Sequence, residues 1–166
     1  MTCQVLRHFR TEWGTTLQKY PFLAAEKNGE ICGYAYTGPL NSRAAYTWAA
    51  ETTVYLKENK QKQGIGRTLY TAIEKISQAQ HITNLYACIG YPGAEDEYLT
   101  KNSAQFHAHL GYQIIGEFHQ CGYKFGQWYN MVWMEKIIAI HALNPAPFVP
   151  FPDLHAGILR NAGIQS

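Results

Sequence analysis

The segment YTWAAETTVYLKENKQKQGIGRTLYTAIEKI, residues 46–76, decides the fold. Its first part, Tyr46 to Leu56, is rich in aromatic and β-branched residues, which predicts a long strand. A polar connection, Lys57 to Gln63, leads to a stretch with the apolar spacing of one helix face. The residues of that face are Ile65, Leu69, Ala72, Ile73 and Ile76. We therefore expect a strand, a loop and a helix of about four turns.

A second apolar strand, Asn84 to Ile89, follows this helix. Two strands that are joined through a helix form a βαβ unit, in which the strands run parallel or splay apart. We place this unit at the centre of the fold.

Further elements are predicted on both sides of that unit. Upstream, Phe22 to Ala25 and Ile31 to Tyr36 flank a polar turn and should form a hairpin. Downstream lie a short helix over about residues 102–110 and two final strands, Tyr112 to Glu117 and Trp128 to Ile137. Helices and strands are thus mixed along the chain, as in an α/β (α+β) fold.

These elements fit a single domain, residues 1–143, because 166 residues are too few for two ordinary domains without a visible linker. The tail, residues 144–166, carries Pro145, Pro147, Pro150 and Pro152. Proline lacks an amide hydrogen and fixes its φ angle, so we expect an extended, polyproline-like arm in place of packed structure.

Composition excludes several classes of protein. The chain is 46% hydrophobic and 16% charged, as in globular proteins, and no apolar run approaches the roughly 20 residues of a membrane span. The net charge of +2 is spread along the chain, which argues against a nucleic-acid partner. The four cysteines are Cys3, Cys32, Cys88 and Cys121. They form no CxxC pair, and the beginning of the chain lacks a signal-peptide core, so we expect a cytoplasmic protein with reduced thiols.

The loop before the helix has the composition of an anion site. Its sequence is Gln61-Lys62-Gln63-Gly64-Ile65-Gly66-Arg67-Thr68. The first amides of a helix have no partner within the helix, and glycines allow a pyrophosphate to approach the main chain. Lys60, Lys62 and Arg67 add positive charge. A glycine pair is also common in ordinary turns, so the pattern alone leaves that alternative open.

Two other phosphate-binding motifs fail at this loop. A Walker A loop needs a lysine before the Thr68 position, where Arg67 stands, and a glycine at a spacing that is absent here. A dinucleotide fingerprint needs a third glycine, where the chain has Leu69. Neither class of nucleotide-binding protein is indicated.

The loop resembles the (Q/R)xxGx(G/A) signature of GNAT acetyltransferases, with Gln61, Gly64 and Gly66 at the three marked positions. Further segments resemble the phosphinothricin acetyltransferase group of that family. They are YTWAAETTVY at residues 46–55, NS followed by HAHLGY at residues 102–112, and GYKFGQW at residues 122–128. The ordered matches cover roughly residues 20 to 137.

The resemblance implies a mixed, mostly antiparallel sheet with splayed parallel central strands, flanked by helices. Acetyl-CoA would lie between those strands as cosubstrate, and no metal is implied. The amides of Val54, Tyr55 and Leu56 would hold the pantetheine arm, and Gln61 to Thr68 the pyrophosphate. Asn102 and Ser103 would meet the outer end of the pantetheine or the phosphate region.

The resemblance also implies two catalytic residues, Glu51 and His107. Glu51 corresponds to the proposed base of the family, and a carboxylate in an apolar strand is costly to bury without a function. The alternative is a solvent-facing glutamate. His107 would orient the amine or relay its proton, and a structural histidine is the alternative. Tyr112 and Tyr123 are two candidates for the general acid, which stays open.

Metal sites are weaker hypotheses. The residues His107, His109, His119 and Cys121 resemble a set of zinc ligands. On a helix, however, His107 and His109 would point in opposite directions. The acidic cluster Glu95-Asp96-Glu97 fits a solvated loop better than a calcium site.

The function implied by the resemblance is acetyl transfer from acetyl-CoA to the amino group of a small amino-acid-like substrate. Phosphinothricin and methionine sulfone or sulfoximine are the examples, and direct attack in a ternary complex is the mechanism. The alternative is a catalytically silent or weak CoA-binding domain that acts as a sensor or an interaction module. The family begins with a strand and a helix, but only nineteen residues precede Tyr20 here, and Glu12 to Lys19 would end the second family helix. We therefore expect the first strand and the first helix to be missing. We expect the exposed sheet edge to favour a homodimer.

Overall fold

The computed structural model describes residues 2–5 and 18–165. The strands are β1 (Thr2–Val5), β2 (Phe22–Lys27), β3 (Glu30–Pro39), β4 (Ala49–Leu56), β5 (Asn84–Tyr91), β6 (Gln113–Lys124), β7 (Gln127–Ile137) and β8 (Ile164–Gln165). The α-helices are α1 (Ile65–Ala79), α2 (Asn102–His109) and α3 (Ala156–Asn161), and short 3₁₀ turns span Ala44–Tyr46, Glu58–Lys60 and Phe151–Asp153.

The strands form one sheet of eight, in the order β6-β7-β5-β4-β3-β2-β1-β8. Among the strands of the described residues, only β4 with β5 and β1 with β8 run parallel, and the other neighbours are antiparallel. The hairpin between β2 and β3 turns at Asn28 and Gly29, whose φ angles of 55° and 78° suit the tight turn that matches strand twist. The predicted mixed, mostly antiparallel fold is confirmed.

The two central strands part after a short parallel ladder. Their pairing ends at Glu51 and Tyr86, although β4 continues to Leu56 and β5 to Tyr91. Beyond Glu51, the β5 side of β4 therefore faces a gap. The predicted splay of the central strands is confirmed.

Helix α1 covers one face of the sheet with the apolar residues that its sequence spacing indicated. Leu69, Ile73 and Ile76 are at most 1% exposed and pack against Leu23 and Ala35 of the sheet. A second cluster lies beneath α2 and joins Ala50, Leu85, Val132, Met134 and Ala104. Helices α1 and α2 thus lie on the same face, on either side of the gap.

A strand does exist at the beginning of the chain, which corrects the prediction that the first strand is missing. Thr2–Val5 pairs antiparallel with β2. The prediction rested on the small number of residues before Tyr20, but four residues are enough for a strand at the side of a sheet. Of the predicted helix end at Glu12 to Lys19, residues 12–17 lie outside the described residues, and residues 18 and 19 form a turn.

The proline-rich tail packs on the domain, so the prediction of an unpacked arm is wrong. Prolines cannot donate hydrogen bonds, but the carbonyl groups around them still accept. The indole Nε1 of Trp48 donates to the Ala146 carbonyl at 2.8 Å. Gln80, which is fully buried, donates from Nε2 to the Val149 carbonyl at 3.1 Å. The tail then forms α3 and β8.

Ile164 should contribute substantially to stability, because it is 3% exposed within the first core cluster. Ile164→Ala removes buried methyl groups and leaves a cavity, so we expect the free energy of unfolding to fall by about 2–4 kcal/mol. The matched control is Leu143→Ala, which alters a side chain that is 97% exposed and should change stability by less than about 0.5 kcal/mol. Urea denaturation measures both, and equal midpoints would contradict the packed tail.

Three predictions about the whole protein are not tested by the fold of one chain. They are the domain boundary at residue 143, the homodimer and the cytoplasmic location. Within the described part of the chain, every helix is too short or too polar to cross a lipid bilayer.

Candidate active site

The gap between β4 and β5 opens into a cleft of about 350 Å³. Its walls come from both strands, from α1 and α2, and from the loop between β5 and α2. The lining residues are Thr52, Thr53, Val54, Tyr55, Tyr70, Ala87, Cys88, Ile89, Gly90, Leu99, Ser103 and His107. Predicted site residues from two separate segments, Val54 with Tyr55 on β4 and Ser103 with His107 on α2, therefore lie around one cavity.

His107 is 3% exposed, and both of its ring nitrogens are hydrogen-bonded. Its Nδ1 lies 2.7 Å from the Ser103 carbonyl, which can only accept, so Nδ1 carries the hydrogen. Burial lowers the pKa of His107, despite the bond to Ser103, and favours the neutral ring. Nε2 is then an acceptor, and the Tyr70 hydroxyl donates to it at 2.6 Å.

Tyr70 lines the cleft beside this histidine. It is 4% exposed, and burial raises the pKa of its hydroxyl well above the ordinary value. The Thr52 hydroxyl lies 3.3 Å from the Tyr70 hydroxyl and donates to the Tyr86 carbonyl at 2.9 Å. The Tyr70 hydroxyl therefore lies between the His107 ring and the Thr52 hydroxyl, and all three side chains line the cleft. Tyr70 was not among the residues predicted from the sequence. The one feature that could have indicated it is a tyrosine hydroxyl next to the apolar face of α1.

The two tyrosines considered as acids occupy different places. Tyr112 is 3% exposed, and its hydroxyl lies 3.5 Å from the Thr52 hydroxyl oxygen. Burial raises its pKa far above the ordinary range of tyrosine. Tyr123 is exposed at the end of β6 and lines a separate cavity. Of the two, only Tyr112 belongs to the network beside His107.

Glu51 lies on the other face of the sheet. Side chains alternate along a strand, and Ala50 and Thr52 face the helices, so Glu51 points away from them. Desolvation raises the pKa of Glu51. Burial raises the pKa of Cys88 as well, and the negative charge of Glu51 adds to that effect. Glu51 does not line the cleft with His107, but it is the last β4 residue before the strands part.

The predicted phosphate loop leads directly into α1. Gly64 precedes the helix with a φ of 80°, in the left-handed region that favours glycine, and Lys62 has a φ of 58°. Thr68 is the first residue whose amide bonds back, to the Gly64 carbonyl at 3.0 Å. The amides of Ile65, Gly66 and Arg67 therefore form the open first turn of the helix.

The charges around this loop are not equivalent. Lys57 and Lys60 bind the Glu30 carboxylate at 2.9 and 3.0 Å. The charge of Lys60 is thus partly neutralised by Glu30, so Lys60 contributes less positive charge to the phosphate loop than the sequence indicated. Lys62 and Arg67 are exposed, as are Gln61 and Gln63. Lys62 and Arg67 are therefore the cations available to a diphosphate.

Gly66 has a packing role that its motif does not reveal. A Cβ atom at this position would lie 2.9 Å from Cζ of Phe106 and 3.3 Å from Cδ1 of Leu56. The glycine lets α1 approach α2 closely, so a larger residue must displace the Phe106 ring. Leu56 and Ile65 also pack in the core, and only their backbone groups are available to a ligand.

The helix α2 carries the last predicted ligands. Asn102 is its first residue and is exposed, and Ser103 lines the cleft next to it. His109 is exposed, with Nδ1 at 2.7 Å from the Gln105 carbonyl. Among residues 2–5 and 18–165, no three His, Cys, Asp or Glu side chains come together as a metal site would require.

A known family has this sequence pattern. The family described as acetyltransferase (GNAT) domain matches residues 4–133. The chain therefore belongs to the GNAT acetyltransferases and is an acyltransferase enzyme.

Within that family the chain is similar to phosphinothricin acetyltransferases, as its motifs predicted. It is 34% identical to phosphinothricin N-acetyltransferase of Streptomyces viridochromogenes, over 92% of this chain and 88% of the relative. It is 30% identical to a methionine sulfoximine/methionine sulfone acetyltransferase of Pseudomonas paraeruginosa, over 71% of this chain and 65% of that relative. The match thus spans most of the first relative and just under two thirds of the second.

A solved structure supports the same placement. The crystal structure of phosphinothricin acetyltransferase from Sinorhizobium meliloti in complex with acetyl-CoA aligns with a TM-score of 0.66 and 25% identity. The alignment covers 80% of this chain and 71% of that chain. The splayed sheet is thus the fold of an acetyl-CoA-binding relative.

Proposed function

We propose that this enzyme transfers the acetyl group of acetyl-CoA to the amino group of a small amino-acid-like substrate. Phosphinothricin and methionine sulfone or sulfoximine are the expected examples, since relatives carry these names. The observation that carries the proposal is the gap between β4 and β5, which Tyr70 and His107 line and beside which β4 continues to Leu56, ahead of the loop to the open first turn of α1. A cytoplasmic homodimer is part of the proposal.

Acetyl-CoA fits this gap as cosubstrate. The pairing of β4 with β5 ends at Glu51, so the backbone groups of Val54, Tyr55 and Leu56 that point towards β5 have no partner in that strand. They can bind a pantetheine arm. The open amides at residues 65–67, with Lys62 and Arg67, suit the pyrophosphate. Asn102 and Ser103 stand at the opposite wall, at the beginning of α2.

The reaction removes two protons from the substrate ammonium. Glu51 accepts the first, which frees the nitrogen lone pair to attack the thioester carbonyl carbon. The C–N bond forms and the C–S bond breaks. Tyr70 and His107 pass the second proton from nitrogen to the departing sulfur, with the Tyr70 proton moving to Nε2 and back. The products are the N-acetyl compound and the CoA thiol, and Glu51 releases its proton to water.

The proposal is tested by measuring thiol release from acetyl-CoA with a panel of amines. Methionine sulfone, methionine sulfoximine and phosphinothricin should give turnover, and amines without an α-carboxylate should give little. If acetyl-CoA binds in calorimetry but no amine is acetylated, the substrate proposal fails and a CoA-binding domain becomes the better description.

The placement of the pyrophosphate predicts a role for Lys62 and Arg67. The double variant Lys62→Ala/Arg67→Ala should bind acetyl-CoA about tenfold more weakly, since each exposed charge contributes under about 1 kcal/mol. Higher salt should reduce the difference. The matched control, Lys19→Ala/Arg160→Ala, makes the same charge change near the other end of α1. Calorimetry measures both, and equal affinities would place the pyrophosphate elsewhere.

A further inference from the structure

The acidic loop between β5 and α2 is more than the solvated loop that its sequence indicated. The Asp96 carboxylate accepts four hydrogen bonds. Oδ1 accepts from the amides of Tyr98 and Leu99, each at 2.7 Å. Oδ2 accepts from the Tyr129 hydroxyl at 2.9 Å and from Nε2 of Gln127. One side chain therefore ties the loop backbone to β7.

Leu99 is the part of this loop that reaches the cleft. Its side chain lines both the cleft of His107 and a second cavity of about 450 Å³ on the side of the β6–β7 hairpin. It lies 3.5 Å from the place that a Cβ on Gly90 would occupy. Leu99 thus stands between the two cavities, together with Gly90 on β5.

Neighbouring contacts hold the rest of the loop. The Tyr98 ring stacks on the Phe125 ring with centroids 4.3 Å apart. The Glu95 carboxylate accepts from the Lys101 amide at 2.7 Å, one residue before α2 begins. Because Ser103 and His107 follow on that helix, the loop also fixes where the histidine stands.

The four donors around Asp96 suit an ionised carboxylate, which can only accept hydrogen bonds. Desolvation acts to raise the pKa of Asp96. The bonds from Leu99, Tyr129, Tyr98 and Gln127 outweigh it and hold the pKa below the ordinary value. At neutral pH, each donor therefore has a charged partner.

We propose that Asp96 is a positioning residue of the acetyl-CoA cleft, which acts through Leu99 and touches no reacting atom. The inference rests on the proposed function, because it assigns the cleft to acetyl-CoA. The physical basis is preorganisation: if the loop that carries Leu99 is ordered before acetyl-CoA binds, the free energy of binding is not reduced by the cost of ordering it.

Asp96→Ala should weaken acetyl-CoA binding about tenfold in calorimetry and should speed hydrogen exchange at the amides of Tyr98 and Leu99 by at least about tenfold. Asp96→Asn keeps one accepting oxygen, so it should retain part of the acetyl-CoA affinity and part of the protection of these amides from hydrogen exchange. The matched control is Glu97→Ala, which removes the same charge from an exposed position in the same loop. It should resemble the wild type.

A second variant separates positioning from general loss of stability. Tyr129→Phe removes the hydroxyl that donates to Oδ2 and accepts from Gln127 Nε2, and it should weaken binding about threefold. Combined with Asp96→Ala it should add nothing, because the hydroxyl acts through Asp96. If Asp96→Ala fails to fold, the acetyl-CoA affinity of Tyr129→Phe alone tests the positioning role of Asp96.

Two outcomes would overturn different claims. Unchanged acetyl-CoA affinity in Asp96→Ala and Tyr129→Phe, with normal binding by the wild type, would overturn the inference alone. Failure of the wild type to bind acetyl-CoA would overturn the proposed function and this inference together.

Discussion

Glu51→Gln should slow turnover by about 100-fold or more, while acetyl-CoA affinity changes little. The amide cannot accept the ammonium proton, and loss of a general base typically costs this much. Glu51 stands where the strands part, on the face away from the helices, from which an amine can approach a thioester in the gap. Stopped-flow or steady-state thiol release measures the rate.

Stability gives an independent check on the same variant. The folded-state pKa of Glu51 is raised by desolvation, so its contribution to stability is full at low pH and is lost as pH rises through the raised pKa. Glu51→Gln should therefore be no less stable than the wild type at neutral pH. The control Glu117→Gln changes an exposed carboxylate on β6 and should keep full activity. Wild-type turnover in Glu51→Gln would show that another group is the base.

Tyr70→Phe should lower the maximal rate by on the order of 10- to 100-fold, because it removes the hydroxyl that bonds His107 Nε2 and carries the second proton in the proposed reaction. It also leaves the buried Nε2 without its donor, which should lower the free energy of unfolding by about 1–3 kcal/mol. Rate and urea denaturation are measured on the same preparation.

The matched control is Tyr112→Phe, since Tyr112 is equally buried but its hydroxyl lies 3.5 Å from the Thr52 hydroxyl oxygen, and only its backbone amide bonds His107, at the carbonyl. Its effect on rate should be much smaller. The double variant Tyr70→Phe/His107→Gln should be no slower than the slower single variant if the pair acts as a unit. Independent, multiplying effects would refute the relay.

The βαβ unit could be predicted because its signals are local. Residues 46–76 carry a strand pattern, a polar loop and a helix pattern in order, and the loop motif placed the helix start at Gly64. The tail was misjudged for a physical reason. Four prolines indicated missing donors, yet tail carbonyls such as those of Ala146 and Val149 accept hydrogen bonds, the non-proline amides still donate, and Ile164 packs in the core.

The candidate site was only partly visible in the sequence. Glu51 and His107 came from family motifs, but motifs do not state that the two lie on opposite faces of a sheet. Tyr70 bonds a residue 37 positions away, and Asp96 bonds Tyr129 33 positions away. Such pairs form only when the chain has folded, and no periodicity or composition marks them in advance.

The contact between Gly66 and Phe106 has an evolutionary consequence. Because the aromatic ring fills the volume that any side chain at residue 66 would need, substitutions there can be inherited only after the ring shrinks or turns aside. Residues 66 and 106 are 40 positions apart in the sequence, yet a substitution at one changes which residues are tolerated at the other. Homologous sequences should therefore keep Gly66 and Phe106 together or replace them together, and sequences in which only one of the two residues has changed should be rare.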